Sequence, residues 1–160
     1  MISIRPIQST DNPKLAMIIR RTLTEFGADK LGTVYSDPST DSLSDLFVSP
    51  QSIYFVAEEK GIILGGGGIY PTQGLPTGTC ELVKMYLSPG ARGKGIGRQI
   101  IDLCFDFAKK NGFEQIYLES MPELAHAIAI YEHLGFRKIN SPLGQSGHYN
   151  CDIWMVKSIQ

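Results

Sequence analysis

Three glycines alternate in the segment Gly93-Lys94-Gly95-Ile96-Gly97, which separates an apolar strand pattern from an amphipathic helix pattern. Because glycine has no Cβ, several backbone N–H groups of such a loop can point at one anion. The helix behind the loop adds the positive end of its dipole. Cationic side chains accompany the glycines at Arg92, Lys94 and Arg98. Residues 92–98, named here the glycine loop, are therefore predicted to bind a pyrophosphate group.

Two familiar nucleotide-binding patterns fit the glycine loop poorly. A P-loop requires Gly-x-x-x-x-Gly-Lys followed by Ser or Thr. Here Gly93-Lys94 is followed by Gly95, and position 88, five residues before Gly93, is a serine. A dinucleotide fingerprint, Gly-x-Gly-x-x-Gly, would place its third glycine one residue later than Gly97. A structural turn without a ligand is the remaining alternative, and the three cations disfavour it.

Hydrophobic periodicity predicts secondary structure along the whole chain. Amphipathic helices are predicted from Asp11-Asn12-Pro13 to Gly27, from the glycine loop to Asn111-Gly112, and from Ser120 to Gly135. Ser120-x-x-Glu123 has the spacing of a capping box for the third of these helices. A short helix is predicted near residues 43–47, and strands are predicted at 2–5, 52–58, 62–70, 80–87, 115–118, 136–139 and 152–158.

The order of these elements predicts a mixed α/β fold. Residues 80–118 form a strand–helix–strand unit, which is expected to be parallel, whereas hairpins make the other strand pairs antiparallel. We expect a mostly antiparallel central sheet with helices on both faces, in one domain spanning residues 1–160. The run Gly65–Gly68 interrupts a strand and predicts either a flexible bulge, which we favour, or a close approach of another backbone or a ligand.

Composition argues against several functional classes. The formal net charge is -1, and no basic block indicates a nucleic-acid partner. Three widely spaced cysteines, Cys80, Cys104 and Cys151, favour reduced thiols over a disulfide framework or a zinc site, and no metal is expected. No apolar run approaches the roughly 20 residues that a membrane span needs, and the first residues lack a signal-peptide pattern. A cytoplasmic protein is expected.

Two motifs carry a resemblance to a known family. Arg92-x-x-Gly95-x-Gly97, after the strand at 81–87, resembles the cofactor signature of the GNAT-type N-acetyltransferase superfamily. Ala127-x-x-x-Tyr131-Glu132-x-x-Gly135-Phe136 resembles the next motif of that family, and the predicted element order matches the family from end to end. The resemblance implies an acyltransferase that moves an acetyl group from acetyl-CoA directly to a primary amine of a small molecule or peptide.

The resemblance also implies where acetyl-CoA would bind. It would lie between the splayed parallel strands on either side of the glycine loop, and the Met85 N–H would polarise the acetyl carbonyl. The implied cofactor-binding residues are Met85, Leu87, Arg92, Gly93, Lys94, Gly95, Gly97 and Arg98. Family members often carry an asparagine at the start of the tyrosine-bearing helix. This chain has Met121-Pro122-Glu123 there, so no contact is carried over.

Acetylation of an amine requires a base and an acid, because an alkylammonium with a pKa near 10 is mostly charged at pH 7. The resemblance makes Tyr131 the acid, with simple packing on the helix as its alternative role. Glu81 stands where some family members carry the base, with an ion pair to Lys84 as its alternative. His148, in a late loop, and a water chain are the other candidates for the base.

The acceptor amine is not identified by the sequence. Glu25, Phe26, Tyr35 and Asp37 lie in the region expected to bound the acceptor and would favour a cationic amine. Acyl-chain preference stays open, as does a homodimer formed through exposed strand edges. The second function considered is a non-catalytic acyl-CoA-binding or sensor module of the same fold, and a nucleotide-binding enzyme is a third. No nucleic-acid or membrane partner is expected.

Overall fold

The protein is described by a computed structural model that covers residues 1–160. Its strands are β1 (Ile2–Pro6), β2 (Ile53–Glu59), β3 (Ile62–Tyr70), β4 (Thr79–Leu87), β5 (Gln115–Ser120), β6 (Arg137–Ile139) and β7 (Ile153–Ser158). Its α-helices are α1 (Asn12–Glu25), α2 (Leu43–Leu46), α3 (Ile96–Lys110) and α4 (Ala125–His133). None of these helices combines the length and apolarity that a membrane-spanning helix requires.

All strands join one seven-stranded sheet in the order β1-β2-β3-β4-β5-β7-β6. Every neighbouring pair is antiparallel except β4 and β5, which form the expected parallel pair. Helix α1 packs against one face of the sheet and α3 against the other. The predicted mixed α/β architecture is therefore confirmed, with each helix boundary within a few residues of the expected position.

Two apolar cores hold the helices on the sheet. On one face, α1 buries Leu15, Ile19 and Leu23 against side chains of β2 such as Tyr54 and Val56. On the other face, α3 presents an apolar stripe to β2, β3 and β4. This second core includes Cys80, Leu82, Ile96, Ile100, Cys104, Ala108 and Ile116. Because both stripes have helical spacing, their burial fixes which side of each helix faces the sheet.

The parallel pair separates soon after it forms. Residues Thr79–Glu81 of β4 pair with Gln115–Tyr117 of β5, and no further pairing joins these two strands. From Leu82 onward, the edge of β4 that faces β5 is consequently open. A cleft begins at this point in the centre of the sheet.

The glycine run lies at a bulge beside this cleft. The pairing of β3 with β4 shifts between Gly66 and Gly68, and Lys84 on β4 has a φ of 52°. A Cβ on Gly66 would lie 2.4 Å from the carbonyl oxygen of Phe55 and 2.5 Å from the Tyr54 ring. The expected bulge is confirmed, but the flexibility that we favoured for it is wrong, because the alternative, a close approach of another backbone, holds at Gly66. The bulge is tightly packed rather than loose.

The predicted capping box is wrong. Ser120 is the last residue of β5, and a single 3₁₀ turn at Pro122–Leu124 separates it from α4. No side chain caps either this turn or α4. Glu123 forms an ion pair with Lys30, at the end of the loop that follows α1. The spacing was that of a capping box, but the strand continues through the expected cap residue.

We expect Gly66→Ala to lower the free energy of unfolding by about 2 kcal/mol or more, because the added methyl group meets backbone that the sheet holds in place. Urea denaturation followed by circular dichroism measures this change. Gly90→Ala is the matched control, since a Cβ at Gly90 meets no atom within 4 Å. Equal stability of the two variants would contradict the packing described here.

Candidate active site

A cavity of about 610 Å³, named here the large cavity, fills the cleft between β4 and β5. The glycine loop and the first turn of α3 close one end, and side chains from α1 and α4 complete the walls. Its volume is typical of small-molecule sites. Of the predicted cofactor residues, the large cavity is lined by Met85, Leu87, Arg92, Gly93, Gly95, Gly97 and Arg98. Lys94 is exposed and does not line it.

The glycine loop turns the chain sharply into α3. Gly93 and Gly95 have φ values of 74° and 80°, in the left-handed region that favours glycine. Gly95 occupies the N-cap position of α3, and no side chain satisfies the first N–H groups of the helix. These N–H groups and the helix dipole therefore remain available to an anion in the large cavity.

Arg92 is held by the protein more firmly than the sequence suggested. Its guanidinium donates two hydrogen bonds to Glu25, at 2.8 and 3.0 Å, and one to the carbonyl oxygen of Leu87, at 3.1 Å. It also lies over the ring of Phe26, with 5.4 Å from its Cζ to the ring centroid. Arg92 thus joins the end of α1 to the end of β4. Glu25, expected near the acceptor, is instead engaged at this junction.

Tyr131 lies in the large cavity on α4. Its ring contacts Phe136 edge to face, with 5.8 Å between centroids. Burial raises the pKa of Tyr131 to about 12, and no hydrogen bond within the protein contributes to that pKa. The hydroxyl is therefore protonated at neutral pH and free to donate a proton to a group in the large cavity.

A second cavity of about 40 Å³, named here the small cavity, adjoins the large one across β4 and β5. Several residues line both cavities, among them Leu82, Lys84, Tyr86, Glu119, Ser120 and Leu124. Glu81, His148 and Cys151 line the small cavity alone. The two candidate bases predicted from the sequence thus meet in one place, 67 positions apart in the chain.

Glu81 is buried in the wall of the small cavity, with 4% of its surface exposed. Desolvation raises the pKa of Glu81 to about 7, against a hydrogen bond of 2.5 Å that its carboxylate accepts from the Thr72 hydroxyl. The alternative role of Glu81, an ion pair with Lys84, is wrong, because the two side chains form no ion pair. A carboxylate with this pKa is suited to take a proton near neutral pH.

Glu119 is a third acidic residue of the site, and the sequence reasoning missed it. Its carboxylate accepts hydrogen bonds from the hydroxyls of Tyr117, at 2.6 Å, and Ser146, at 2.5 Å. The backbone N–H of Leu143 donates to Tyr117 in turn, so the loop at 141–150 is fixed above β5. The available signal was a carboxylate near the end of a parallel strand, but the predicted strand stopped at Leu118.

His148 links two loops beside the small cavity. Its Nε2 lies 2.7 Å from a carboxylate oxygen of Asp37. The other carboxylate oxygen of Asp37 accepts hydrogen bonds from the backbone N–H and hydroxyl of Ser39, at 2.9 and 2.7 Å. The contact with His148 holds the pKa of Asp37 well below its usual range. Of the expected acceptor residues, Asp37 therefore lies next to the small cavity, whereas Tyr35 uses its carbonyl oxygen to accept from Arg20.

Comparison with known proteins places the chain in a family. Residues 18–136 match the family described as acetyltransferase (GNAT) family. An uncharacterized N-acetyltransferase, YjgM, from Escherichia coli K12 is 40% identical over 158 residues, which is 98% of this chain and 94% of the relative. A GNAT-family acetyltransferase from Staphylococcus aureus Mu50 has a TM-score of 0.84 at 18% identity over all of both chains. PaiA N-acetyltransferase from Thermoplasma acidophilum, solved in complex with coenzyme A, has a TM-score of 0.77 at 19% identity over 99% of each chain.

The raised pKa of Glu81 predicts a pH-dependent stability. In the unfolded chain Glu81 loses its proton near its ordinary pKa of 4.5, but in the folded protein it keeps the proton until about pH 7. Above pH 4.5 the unfolded state thus binds fewer protons, so the contribution of Glu81 to stability falls until pH 7 and is level beyond it. The fall is at most about 3 kcal/mol.

Glu81→Gln removes this titration, so its stability relative to the parent should rise between about pH 4.5 and about pH 7. Urea denaturation at a series of pH values measures the difference. Glu114→Gln, at an exposed carboxylate, is the control for the loss of one acidic group. A difference between Glu81→Gln and the parent that does not change with pH would contradict the burial of an ionisable Glu81.

Proposed function

The chain belongs to the acetyltransferase (GNAT) family, and we propose that it moves an acetyl group from acetyl-CoA directly to a primary amine of a small molecule or peptide. One observation carries this proposal: two adjoining cavities lie where β4 and β5 separate. One has an uncapped helix N-terminus, which suits a phosphorylated donor. The other has carboxylates, which suit a cationic amine.

The large cavity fits acetyl-CoA in several respects. A pyrophosphate at the glycine loop would accept hydrogen bonds from the free N–H groups at the start of α3. The open edge of β4 at Met85 and Leu87 would pair with the amides of the pantetheine arm, as a neighbouring strand would. The CoA complex of the Thermoplasma relative supports this donor. Arg92 would contribute chiefly by holding the glycine loop against α1 and β4, because Glu25 and Leu87 engage its guanidinium.

The proposed reaction uses groups on both sides of the point where β4 and β5 separate. Glu81, directly or through water, would take the proton of the acceptor ammonium, after which the amine nitrogen attacks the acetyl carbonyl carbon. As the new C–N bond forms and the C–S bond breaks, the Met85 N–H would stabilise charge on the carbonyl oxygen. Tyr131 would protonate the leaving thiolate. The acylated nitrogen still carries one proton more than the amide keeps, and that proton would leave through water and restore the phenol of Tyr131. His148, held by Asp37, is the second candidate for the base because it lines the same cavity as Glu81.

Cellular location and assembly are part of the proposal. All three cysteines are buried and unpaired, which fits the reducing cytoplasm that we propose as the location. The strands β1 and β6 form the two edges of the sheet. Pairing of such edges in a homodimer stays a prediction.

We expect acetyl-CoA, and neither ATP nor NAD, to bind with micromolar affinity in calorimetric titration. Gly97→Val should weaken this binding at least about tenfold, because the side chain would occupy the space of the pyrophosphate. A Cβ at Gly97 meets no atom of the protein closer than 3.5 Å, so the variant should still fold. Gly90→Val, just before the glycine loop, is the control, since a Cβ at Gly90 meets no atom within 4 Å. Equal binding of acetyl-CoA by both variants, or preferential binding of ATP or NAD by the parent, would refute the proposed donor site.

We expect Tyr131→Phe to lower kcat by about a hundredfold, since a proton donor in this position typically contributes this much. The affinity for acetyl-CoA should change by less than about threefold, because the ring and its contact with Phe136 remain. Release of free CoA with a panel of amines measures kcat. Unchanged turnover would remove Tyr131 from the mechanism. Tight binding of acetyl-CoA without turnover of any amine by the parent would instead favour the non-catalytic acyl-CoA-binding module.

A further inference from the structure

Lys84 is a buried cation at the boundary of the two cavities. Only 8% of its surface is exposed, and it lines both the large and the small cavity. Its φ of 52° is rare for a residue with a long side chain. The Tyr54 hydroxyl donates a hydrogen bond of 2.7 Å to the carbonyl oxygen of Lys84, which fixes the backbone in this conformation. The fold therefore holds the side chain between the cavities at a conformational cost.

The ammonium of Lys84 has no partner within the protein, although it lies among acidic residues. Asp37 and Glu81 act on it through space, but neither forms an ion pair with it. The acidic side chains in the small cavity and beside it all have other partners. Glu81 accepts from Thr72, Glu119 accepts from Tyr117 and Ser146, and Asp37, next to the cavity, contacts His148 and accepts from Ser39. Lys84 is thus the cation of this site that is left to interact with a ligand.

The side chain of Lys84 is largely desolvated, and an ammonium in such a setting gains more than a surface lysine from an incoming anion. Burial lowers the pKa of Lys84, while the nearby carboxylates act in the opposite direction. A carboxylate bound beside it would further favour the charged form. The position next to Met85, at the point where donor and acceptor would meet, makes the acceptor the source of that carboxylate.

We propose that Lys84 binds the carboxylate of the acceptor and that the acceptor is an amino acid. This inference rests on the proposed acetyl transfer. The amine of an α-amino acid is one carbon away from its carboxylate, so one small molecule can face Glu81 with the amine and Lys84 with the carboxylate. The small cavity contributes only about 40 Å³, which suits such a compact head group better than a bulky amine.

Matched acceptors that differ only in this charge test the proposal. Free CoA is measured with a panel of L-amino acids and with the corresponding amino-acid amides, which keep the amine and side chain and lack the carboxylate. For at least one pair we expect kcat/KM to be about tenfold or more higher for the acid. Lys84→Met should reduce that preference to less than about threefold, mainly by raising KM for the acid. Lys109→Met, at an exposed position on α3, is the control and should keep the preference.

A binding measurement separates failure of this inference from failure of the proposed reaction. The midpoint temperature of thermal unfolding is measured for the parent and for Lys84→Met, each saturated with CoA. Each amino acid or its amide is then added, and the shift in that temperature is compared. Stabilisation by acids that depends on Lys84 would support the carboxylate site even if no acceptor were turned over. A preference for amides, an acid preference that survives Lys84→Met, or no acid-specific stabilisation together with no turnover would overturn it. Acetylation of Lys84 itself, seen by mass spectrometry after incubation with acetyl-CoA, would also overturn it, because Lys84 would then be a nucleophile.

Discussion

The separation of β4 from β5 after three residue pairs is the constraint on which the site depends. A continuous parallel pair would fill the centre of the sheet with interstrand hydrogen bonds. The bulge opposite the glycine run turns β4 away and supplies the open edge. One irregularity in pairing thus produces the cleft, exposes the Met85 backbone and carries Lys84 to the boundary of the cavities. The uncapped start of α3 and the loops that carry acidic residues complete the cleft that this separation opens.

The proposed donor and acceptor sides differ in how they would stabilise charge. The donor side relies on the dipole of α3 and on the backbone N–H groups of the glycine loop. The charge of its arginine, Arg92, is largely offset by the ion pair with Glu25. The acceptor side is built from side chains in a buried setting, where Glu81 has a raised pKa and Asp37 a lowered one. Neighbouring carboxylates that titrate in different ranges can divide the tasks of taking a proton and holding charge.

Much of this architecture could be predicted from local pattern, because helix stripes and strand alternation are set by nearby residues. The glycine loop and Tyr131 could be singled out for the same reason, since each lies in a contiguous motif, and their roles stay predictions. Glu119 accepts a hydrogen bond from Ser146, 27 positions away, and His148 contacts Asp37, 111 positions away. No local spacing in the sequence encodes either contact. At Ser120 the error is of the opposite kind. The sequence has the spacing of a capping box, but the pairing of β5 with β7 keeps Ser120 in the strand.

The glycine run also restricts which substitutions the sequence can accept. A larger residue at position 66 would meet the carbonyl oxygen of Phe55 as well as the ring of Tyr54, so a smaller residue at 54 would remove only one of the two clashes. Replacing Tyr54 would also remove the hydrogen bond that its hydroxyl donates to the carbonyl oxygen of Lys84. A change at 54 therefore cannot compensate for one at 66. Glycine at position 66 is required by backbone that no side-chain substitution can move, and the absence of a side chain there sets the shape of the strands beside the cleft.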